Sequence, residues 1–270
     1  MFVDSHCHLD LPHFDADRDA VIERAWAAGV RRIIVPATDL ASCRRVLALA
    51  EQHEHIYAAV GVHPNDCTGF DVQGLKELHA LAHHPKVVAI GEIGLDYYWN
   101  KTPIAQQKAV LQMQLELAAE LRLPVILHSR NPAGHAPTCN TDLLCVIAQM
   151  GPEIQKARGN ETIIGIWHAF AGDLAEAQRA IGLGLVLGLG GPLTFQNARR
   201  LHALAPQLPR DRVVLETDAP YLAPHPYRGR RNEPAYVPLI ADRLAELWQV
   251  STAAVAEATS VTASRCFGII

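Results

Sequence analysis

The chain has 270 residues, a formal net charge of −4 from 24 lysines and arginines against 28 aspartates and glutamates, and 49% hydrophobic residues. This composition is typical of a protein with a packed core and argues against a wholly disordered chain. It also argues against a protein that coats nucleic-acid phosphates with lysine and arginine, because the chain is mildly acidic.

Short apolar or β-branched runs alternate with longer amphipathic segments along the chain. Eight strands are predicted, at residues 2–6, 32–36, 57–62, 87–93, 125–128, 163–168, 185–189 and 213–217. Helices are predicted between and after them, at residues 17–28, 40–52, 72–83, 103–121, 141–150, 174–183, 196–204, 237–248 and 252–267. Eight strand–helix units in a chain of this length predict an α/β fold, the closed (β/α)8 TIM barrel.

The alternative fold is an open, doubly wound sheet, which usually carries a glycine-rich turn after its first strand. This chain instead has His6-Cys7-His8 at that point, which favours the barrel. We expect a single domain over residues 1–270, because no linker or break in composition divides the chain. The stretch 131–160, rich in proline and glycine at its start, is expected to be a long excursion between the fifth and sixth strands.

Six of the eight predicted strands end in polar side chains that can bind a metal or a phosphate. Because the active site of a TIM barrel lies at the C-terminal ends of its strands, we expect these side chains to converge. His6 and His8 are two residues apart, so both imidazoles point the same way. The full set is Asp4, His6 and His8, then His63, Glu92, His128 with Arg130, His168, and Glu216 with Asp218.

Each of these residues has an ordinary structural explanation when it is taken alone. A histidine at a strand end is often a hydrogen-bonded core residue, and a buried carboxylate such as Glu92 can pair with an arginine. A buried carboxylate is costly unless it is paired or binds a cation. The prediction of a metal site therefore rests on the convergence of several such residues at one end of the barrel.

Six candidate ligands are too many for one tetrahedral ion but suit two divalent ions about 3.5–4 Å apart. Glu92 would bridge the two ions. The other ligands divide into His6, His8 and Asp218 for one ion and His128 and His168 for the second. From ligand type alone, mixed imidazole and carboxylate coordination favours Zn, Mn or Fe, with Mg less expected.

Seven motifs resemble those of the TatD family of metal-dependent hydrolases and occur in the family's order over essentially the whole chain. They are DSHCHLD (4–10), GVHP (61–64), IGEIGLDY (90–97), LHSR (127–130), HAFAG (168–172), LETDAPY (215–221) and RNEP (231–234). The resemblance implies a TIM barrel of the amidohydrolase superfamily. It also implies a divalent-metal phosphodiesterase, a deoxyribonuclease with 3′–5′ exonuclease activity, that uses two ions drawn from Mg, Mn or Zn.

By position in these motifs, the resemblance implies roles for individual residues. The implied metal ligands are His6, His8, Glu92, His128, His168 and Asp218. His63 and Arg130 resemble phosphate contacts, and Glu216 resembles a nearby acidic residue of the family that faces the substrate. The expected reaction is attack of a metal-bound hydroxide on phosphorus, in which Asp218 orients the water and takes its proton.

The chain departs from the family pattern at two places. Ala171 stands where the family often has a serine, so a hydroxyl contact is lost. The stretch 131–160 is longer than expected beside the site; a tolerated surface insertion is the main interpretation and a lid that controls substrate access is the alternative.

Two other functions remain open at this point. The first is an amidohydrolase that cleaves a small amide, ester or lactone, or a deacylase of aminoacylated RNA. Many dinuclear enzymes of this kind bridge their metals with a carbamylated lysine, but none of the five lysines ends a predicted strand. The second is a scaffold without catalysis, against which a complete ligand set argues.

The expected substrate is a nucleic-acid strand end or another phosphodiester, with no membrane association and no obligate protein partner. We expect a cytoplasmic protein, because the N-terminus does not resemble a signal peptide and the six cysteines are scattered. The aromatic run Tyr97, Tyr98 and Trp99 is expected to pack over the barrel mouth. Stacking on a nucleobase is the alternative.

Overall fold

The computed structural model describes residues 1–99, 101–134, 138–159 and 161–269. Eight parallel strands pair within them in chain order, and the first and last meet through a hydrogen bond from the Ser5 amide to the Leu215 carbonyl (3.0 Å). The strands are β1 (Phe2–Asp4), β2 (Val30–Pro36), β3 (Ile56–Val60), β4 (Val87–Asp96), β5 (Val125–Arg130), β6 (Gly165–Trp167), β7 (Leu185–Leu189) and β8 (Val213–Leu215). The predicted TIM barrel is confirmed.

Helices alternate with the strands and surround the barrel. They are α1 (Arg18–Ala27), α2 (Leu40–Gln52), α3 (Val72–Ala82), α4 (Ile104–Leu121), α5 (Thr138–Ala157), α6 (Leu174–Gly182), α7 (Arg199–Leu204), α8 (Val237–Trp248) and α9 (Thr252–Phe267). Capping boxes begin two of them, Asp39 with Ser42 at α2 and Asp173 with Glu176 at α6. Within the described ranges, no helix combines the length and hydropathy needed to cross a membrane.

The strands separate the apolar core into two main layers. The larger layer lies between the strands and the surrounding helices. The smaller layer occupies the inside of the barrel, where alternate residues of successive strands meet α9. Its members include Val3, Ile34, Ala59, Ile126, Ile166, Val186, Val214 and Phe267. Because α9 covers the N-terminal ends of the strands, the opposite end is left for the polar residues.

The stretch 131–160, which we expected to be an irregular excursion, is mostly helical. α5 covers Thr138–Ala157, beyond both ends of the helix predicted at 141–150, and continues through Pro152. Its buried residues Leu143, Ile147 and Ile154 recur at helical spacing, so packing of this face outweighs the proline. Residues 135–137 and 160 lie outside the described residues.

β4 and β5 extend further toward the C-terminal end of the barrel than predicted. β4 continues to Asp96, past the predicted end at residue 93, and β5 continues to Arg130. Gly94 pairs with His128, and a Cβ at Gly94 would lie 2.0 Å from the His128 carbonyl oxygen, so a side chain does not fit there. These two strands therefore bring Glu92, Asp96 and His128 to one place.

Candidate metal centre

The predicted ligands lie at the C-terminal end of the barrel because the interior positions of the strands continue in register. Ile126 and Ile166 belong to the apolar interior, and two residues later come His128 and His168. The same alternation leads from Val214 to Glu216, whereas Asp218 lies beyond the end of β8, where its backbone has a φ of 56°. One face of each of these strands is thus apolar at its start and ionisable at its end.

Glu92 lies at the centre of the cluster, with histidine nitrogens near each carboxylate oxygen. Its Oε2 is 3.4 Å from His6 Nε2 and 3.6 Å from His8 Nε2. Its Oε1 is 2.9 Å from His128 Nδ1 and 3.0 Å from His168 Nε2. Each carboxylate oxygen therefore faces its own pair of imidazole nitrogens, an arrangement that suits a residue between two ions, and the rings of His6 and His168 stack with centroids 3.8 Å apart.

Asp218 completes the group on the His6 side. Its Oδ1 is 3.8 Å from His6 Nε2 and 3.6 Å from His8 Nε2. Its side chain is 17% exposed, whereas that of His6 is fully buried. The structure thus brings all six predicted ligands together, and Asp218 is the carboxylate among them with a path to solvent.

Two histidine rings of the cluster, those of His8 and His128, are oriented by contacts on their other nitrogens. His8 Nδ1 lies 3.2 Å from the Pro36 carbonyl, and His128 Nε2 lies 3.1 Å from Asp96 Oδ2. Such a contact fixes which nitrogen is free to bind a metal. Asp96 was not among our predicted site residues; it ends the GLD segment of β4, and the prediction stopped that strand too early.

His63 lies beside the cluster, but its hydrogen bonding indicates that it is not a metal ligand. Its Nε2 is 3.7 Å from Glu92 Oε1, while its Nδ1 accepts a hydrogen bond from the Asn65 amide (3.1 Å). Burial and the nearby His128 lower the pKa of His63 to about 3. The ring is therefore neutral with its proton on Nε2, so it offers a hydrogen-bond donor where a ligand would need a lone pair.

Glu216 and Arg130 occupy different environments. Glu216 is fully buried; its Oε1 accepts from the Ala169 amide and lies 3.6 Å from His168 Nδ1. A Cβ at position 188 would lie 2.2 Å from Glu216 Oε2, so Gly188 makes room for this carboxylate. Arg130 is exposed, and its guanidinium lies over the Tyr98 ring, 4.1 Å from the ring centroid. Glu216 thus belongs to the cluster, whereas Arg130 lies at its edge.

The charges of the cluster depend strongly on one another. Burial acts to raise the pKa of Glu92, but the neighbouring His168 and His6 outweigh it and hold this pKa well below its usual range. Burial acts to lower the pKa of His168, but Glu92 and Glu216 raise it well above its usual value. Burial raises the pKa of Asp218 to about 6. The carboxylates therefore need positive charge beside them.

The donors present fit divalent cations. Each ion-pair partner that the described residues give Glu92 is a histidine. Three groups of side chains bring nitrogen or carboxylate oxygen atoms within 4.8 Å of one another: His6, His8 and Asp218; His6, His168 and Glu216; and His63, Glu92 and His128. In the last group His63 offers a hydrogen-bond donor and not a ligand lone pair. Glu216 Oε2 is buried without a hydrogen-bond partner among the described residues, so a nearby cation would stabilise it. Imidazole and carboxylate donors together suit Zn or Mn.

Comparison with known proteins links this chain to one family. The TatD related DNase family model matches residues 3–268. YabD of Bacillus subtilis, an uncharacterized metal-dependent hydrolase, is 39% identical over 269 residues, which cover 100% of both chains. A 3′-5′ ssDNA/RNA exonuclease TatD of Cronobacter sakazakii is 39% identical over 267 residues, 96% of this chain and 95% of the relative. The crystal structure of YjjV, a TatD homologue of Escherichia coli K12, superposes with a TM-score of 0.89 at 34% identity, covering 100% of this chain and 98% of that one.

Proposed function

The chain belongs to the TatD related DNase family of metal-dependent hydrolases, and we propose that it removes nucleotides from the 3′ ends of single-stranded nucleic acid. The observation that carries the proposal is the position of Glu92 between two pairs of histidine nitrogens, with Asp218 beside one pair. The substrate class is supported by relatives whose names describe 3′-5′ ssDNA/RNA exonucleases.

The proposed ligand sets follow the two oxygens of Glu92. Glu92 and three other residues would hold one divalent ion, and Glu92 and two other residues would hold a second. The first set is His6, His8 and Asp218, and the second is His128 and His168. When bound, Mg, Mn or Zn ions would lower the pKa of a water molecule and neutralise charge that develops on the phosphate.

Asp218 is the proposed proton acceptor. Its side chain is 17% exposed, so a water molecule can reach it. A carboxylate within hydrogen-bond reach of the attacking water can orient that water and accept its proton. We propose that Asp218 orients the attacking water and takes its proton.

Two further residues are proposed to hold the substrate phosphate. His63 is neutral and carries its proton on Nε2, from which it can donate a hydrogen bond to a phosphate oxygen. Arg130 presents planar N–H donors at the edge of the cluster, a geometry that suits a phosphate. Glu216 is proposed to orient the His168 ring, next to which its Oε1 lies.

The proposal is tested by restoring single metals to the stripped protein. Mg, Mn or Zn is added separately, and the protein is assayed on a 3′-labelled single strand, the matching duplex, a generic phosphodiester and a small lactone. Asp218→Asn is expected to lower the rate on the single strand by about 10²–10⁴-fold, because a general base is lost. Asp211→Asn is the matched control. Asp211 is exposed and lies just before β8, whereas Asp218 lies just after it.

The outcomes separate the competing functions. Hydrolysis of the single strand that requires a metal and Asp218 supports the nuclease. Hydrolysis of the lactone alone would replace it with an amidohydrolase. An Asp218→Asn protein that keeps the full rate would remove the proposed mechanism, and a folded protein inactive on all four substrates with every metal would favour a role without catalysis.

A further inference from the structure

Two large aromatic side chains lie exposed beside the metal centre. Tyr98 is 42% and Trp99 is 47% exposed, and their rings meet edge to face with centroids 4.9 Å apart. Tyr97 points inward instead, where its hydroxyl donates to Asp142 Oδ2 (2.8 Å). Tyr97 packs against the apolar layer between the strands and the helices, and not over the barrel mouth as expected, while the next two residues present ring surface to solvent.

Arg130 adds a positive charge to this surface. Its guanidinium carbon lies 4.1 Å from the Tyr98 ring centroid and 5.5 Å from the Trp99 centroid. A guanidinium that stacks on a ring keeps its N–H donors in its own plane, so it can still bind a phosphate. We call Tyr98, Trp99 and the Arg130 guanidinium the aromatic platform.

The aromatic platform is anchored to a residue that orients a proposed metal ligand. The amides of Tyr98 and Trp99 donate to Asp96 Oδ1 at 2.9 and 3.0 Å. The other oxygen of Asp96 lies 3.1 Å from His128 Nε2. Arg130 follows His128 by two residues on β5 and pairs with Asp96 in the sheet. One carboxylate thus connects the exposed rings to the metal centre, which places them at a defined distance from it.

We infer that the aromatic platform is a nucleobase-stacking subsite for single-stranded nucleic acid, an inference that rests on the proposed nuclease function. Aromatic rings bind any unpaired base through its face, and a neighbouring cation binds the backbone phosphate that follows. Within a duplex the bases are already stacked on each other and paired, so only the terminal pair offers a free face. The platform therefore selects single strands without selecting a sequence.

The test compares a strand that carries bases with one that lacks them. The probes are a labelled oligothymidylate and the same strand with tetrahydrofuran abasic residues at its last three 3′ positions. The variants are Trp99→Ala, Tyr98→Ala and Trp99→Phe, which keeps a ring. Ile104→Ala is the control, because Ile104 is a similarly exposed apolar side chain (46%) outside the platform.

Trp99→Ala is expected to raise KM on the base-bearing strand by roughly 5- to 150-fold, the range for loss of one base stack, with a much smaller change in kcat. The KM of Trp99→Ala for the abasic strand should stay close to the KM of the unmodified protein for the same strand. Trp99→Phe should recover most of the loss, and Ile104→Ala should match the unmodified protein. The inference is overturned if the unmodified protein has the same KM for both strands, or if Trp99→Ala behaves like Ile104→Ala.

Binding measured without turnover separates this inference from the nuclease proposal. Fluorescence anisotropy of both strands is recorded in an Asp218→Asn background with and without Trp99→Ala. Binding that depends on the bases and on Trp99, combined with no hydrolysis of either strand by the unmodified protein with any metal, would keep the subsite and remove the nuclease. Hydrolysis by the unmodified protein, combined with equal binding of both strands, would keep the nuclease and remove the subsite. Absence of both binding and hydrolysis would remove both proposals.

Discussion

The two ends of this barrel are built from the same strands and have opposite chemistry. At the N-terminal end the interior is apolar, with Val3, Ile126 and Val214 packed against Phe267 of α9. Two residues further along β5, about 7 Å at the rise of a strand, the interior side chain is His128. The apolar end stabilises the fold by burying hydrocarbon, whereas the charged end holds groups that the fold alone does not stabilise.

The charged end is stabilised by positive charge close to its buried carboxylates. Carboxylates without lysine or arginine partners are buried there, and burial raises the pKa of Asp218 to about 6. His168 beside Glu92 has a pKa raised well above its usual value by Glu92 and Glu216, so it supplies positive charge in the unliganded protein, and divalent ions would supply more. Substitutions at the two ends should therefore differ in kind: those at the charged end should change metal binding and activity, and those at the apolar end should change stability.

The largest effect is expected for Glu92→Gln. The substitution removes the charge that faces both pairs of histidines, so we expect the protein to lose both ions and hydrolysis to become undetectable. Metal content by mass spectrometry after gel filtration and the rate on a single strand are the measurements. Glu257→Gln is the control, since Glu257 is exposed on α9 at the opposite end. Retention of two ions by Glu92→Gln would contradict the assignment.

Asp96→Asn should have an intermediate effect. Asp96 holds the His128 ring from the side away from Glu92, and loss of such a contact typically weakens metal binding by about 10–100-fold. Raising the metal concentration should restore the rate, because the ligands themselves remain. Asp142→Asn is the matched control, since Asp142 accepts from Tyr97 and contacts no proposed ligand. An unchanged metal affinity for Asp96→Asn would show that the ring is held by other contacts.

Phe267→Ala tests the apolar end. Phe267 is 5% exposed in the interior layer, and its loss should lower the free energy of unfolding by about 3–5 kcal/mol. Urea titration measures this change, and Phe267→Leu should cost less because most of the volume is kept. Metal affinity and the rate per folded molecule should not change. A loss of metal affinity with unchanged stability would show that the two ends are not separate.

The smallest effect is expected when the metal is removed and the reactivity of a cysteine at the apolar end is measured. Burial raises the pKa of Cys266 in this layer to about 12, so its thiol should stay unreactive in the native protein. Iodoacetamide at pH 8 should modify the exposed Cys145 first, with or without a chelator. Mass spectrometry of the labelled peptides measures both. Rapid labelling of Cys266 after chelation would mean that the charged end also controls the stability of the other end.

Much of the fold and of the site can be predicted from the sequence because both rest on short-range periodicity. Alternation along a strand places His6 with His8, and the repeat of strand and helix brings the strand ends together. The same rules predict Glu92 as a metal ligand, and the six predicted ligands lie close together in the structure.

Contacts between elements are less accessible to sequence reasoning. The role of Asp96 depends on the extra length of β4 and on its pairing with β5. The position of Arg130 depends on aromatic rings from another strand end, which attract its guanidinium. α5 exceeds its predicted length because packing of its buried face outweighs Pro152. In each case the deciding partner is distant in sequence or lies in the packed core.

We propose that Glu92 lies between two divalent ions, which anomalous diffraction from crystals grown with Mn²⁺ would reveal. We expect two peaks, one beside each carboxylate oxygen of Glu92, with Asp218 at the first and His168 at the second. A single peak at full occupancy, or manganese bound away from Glu92, would contradict it.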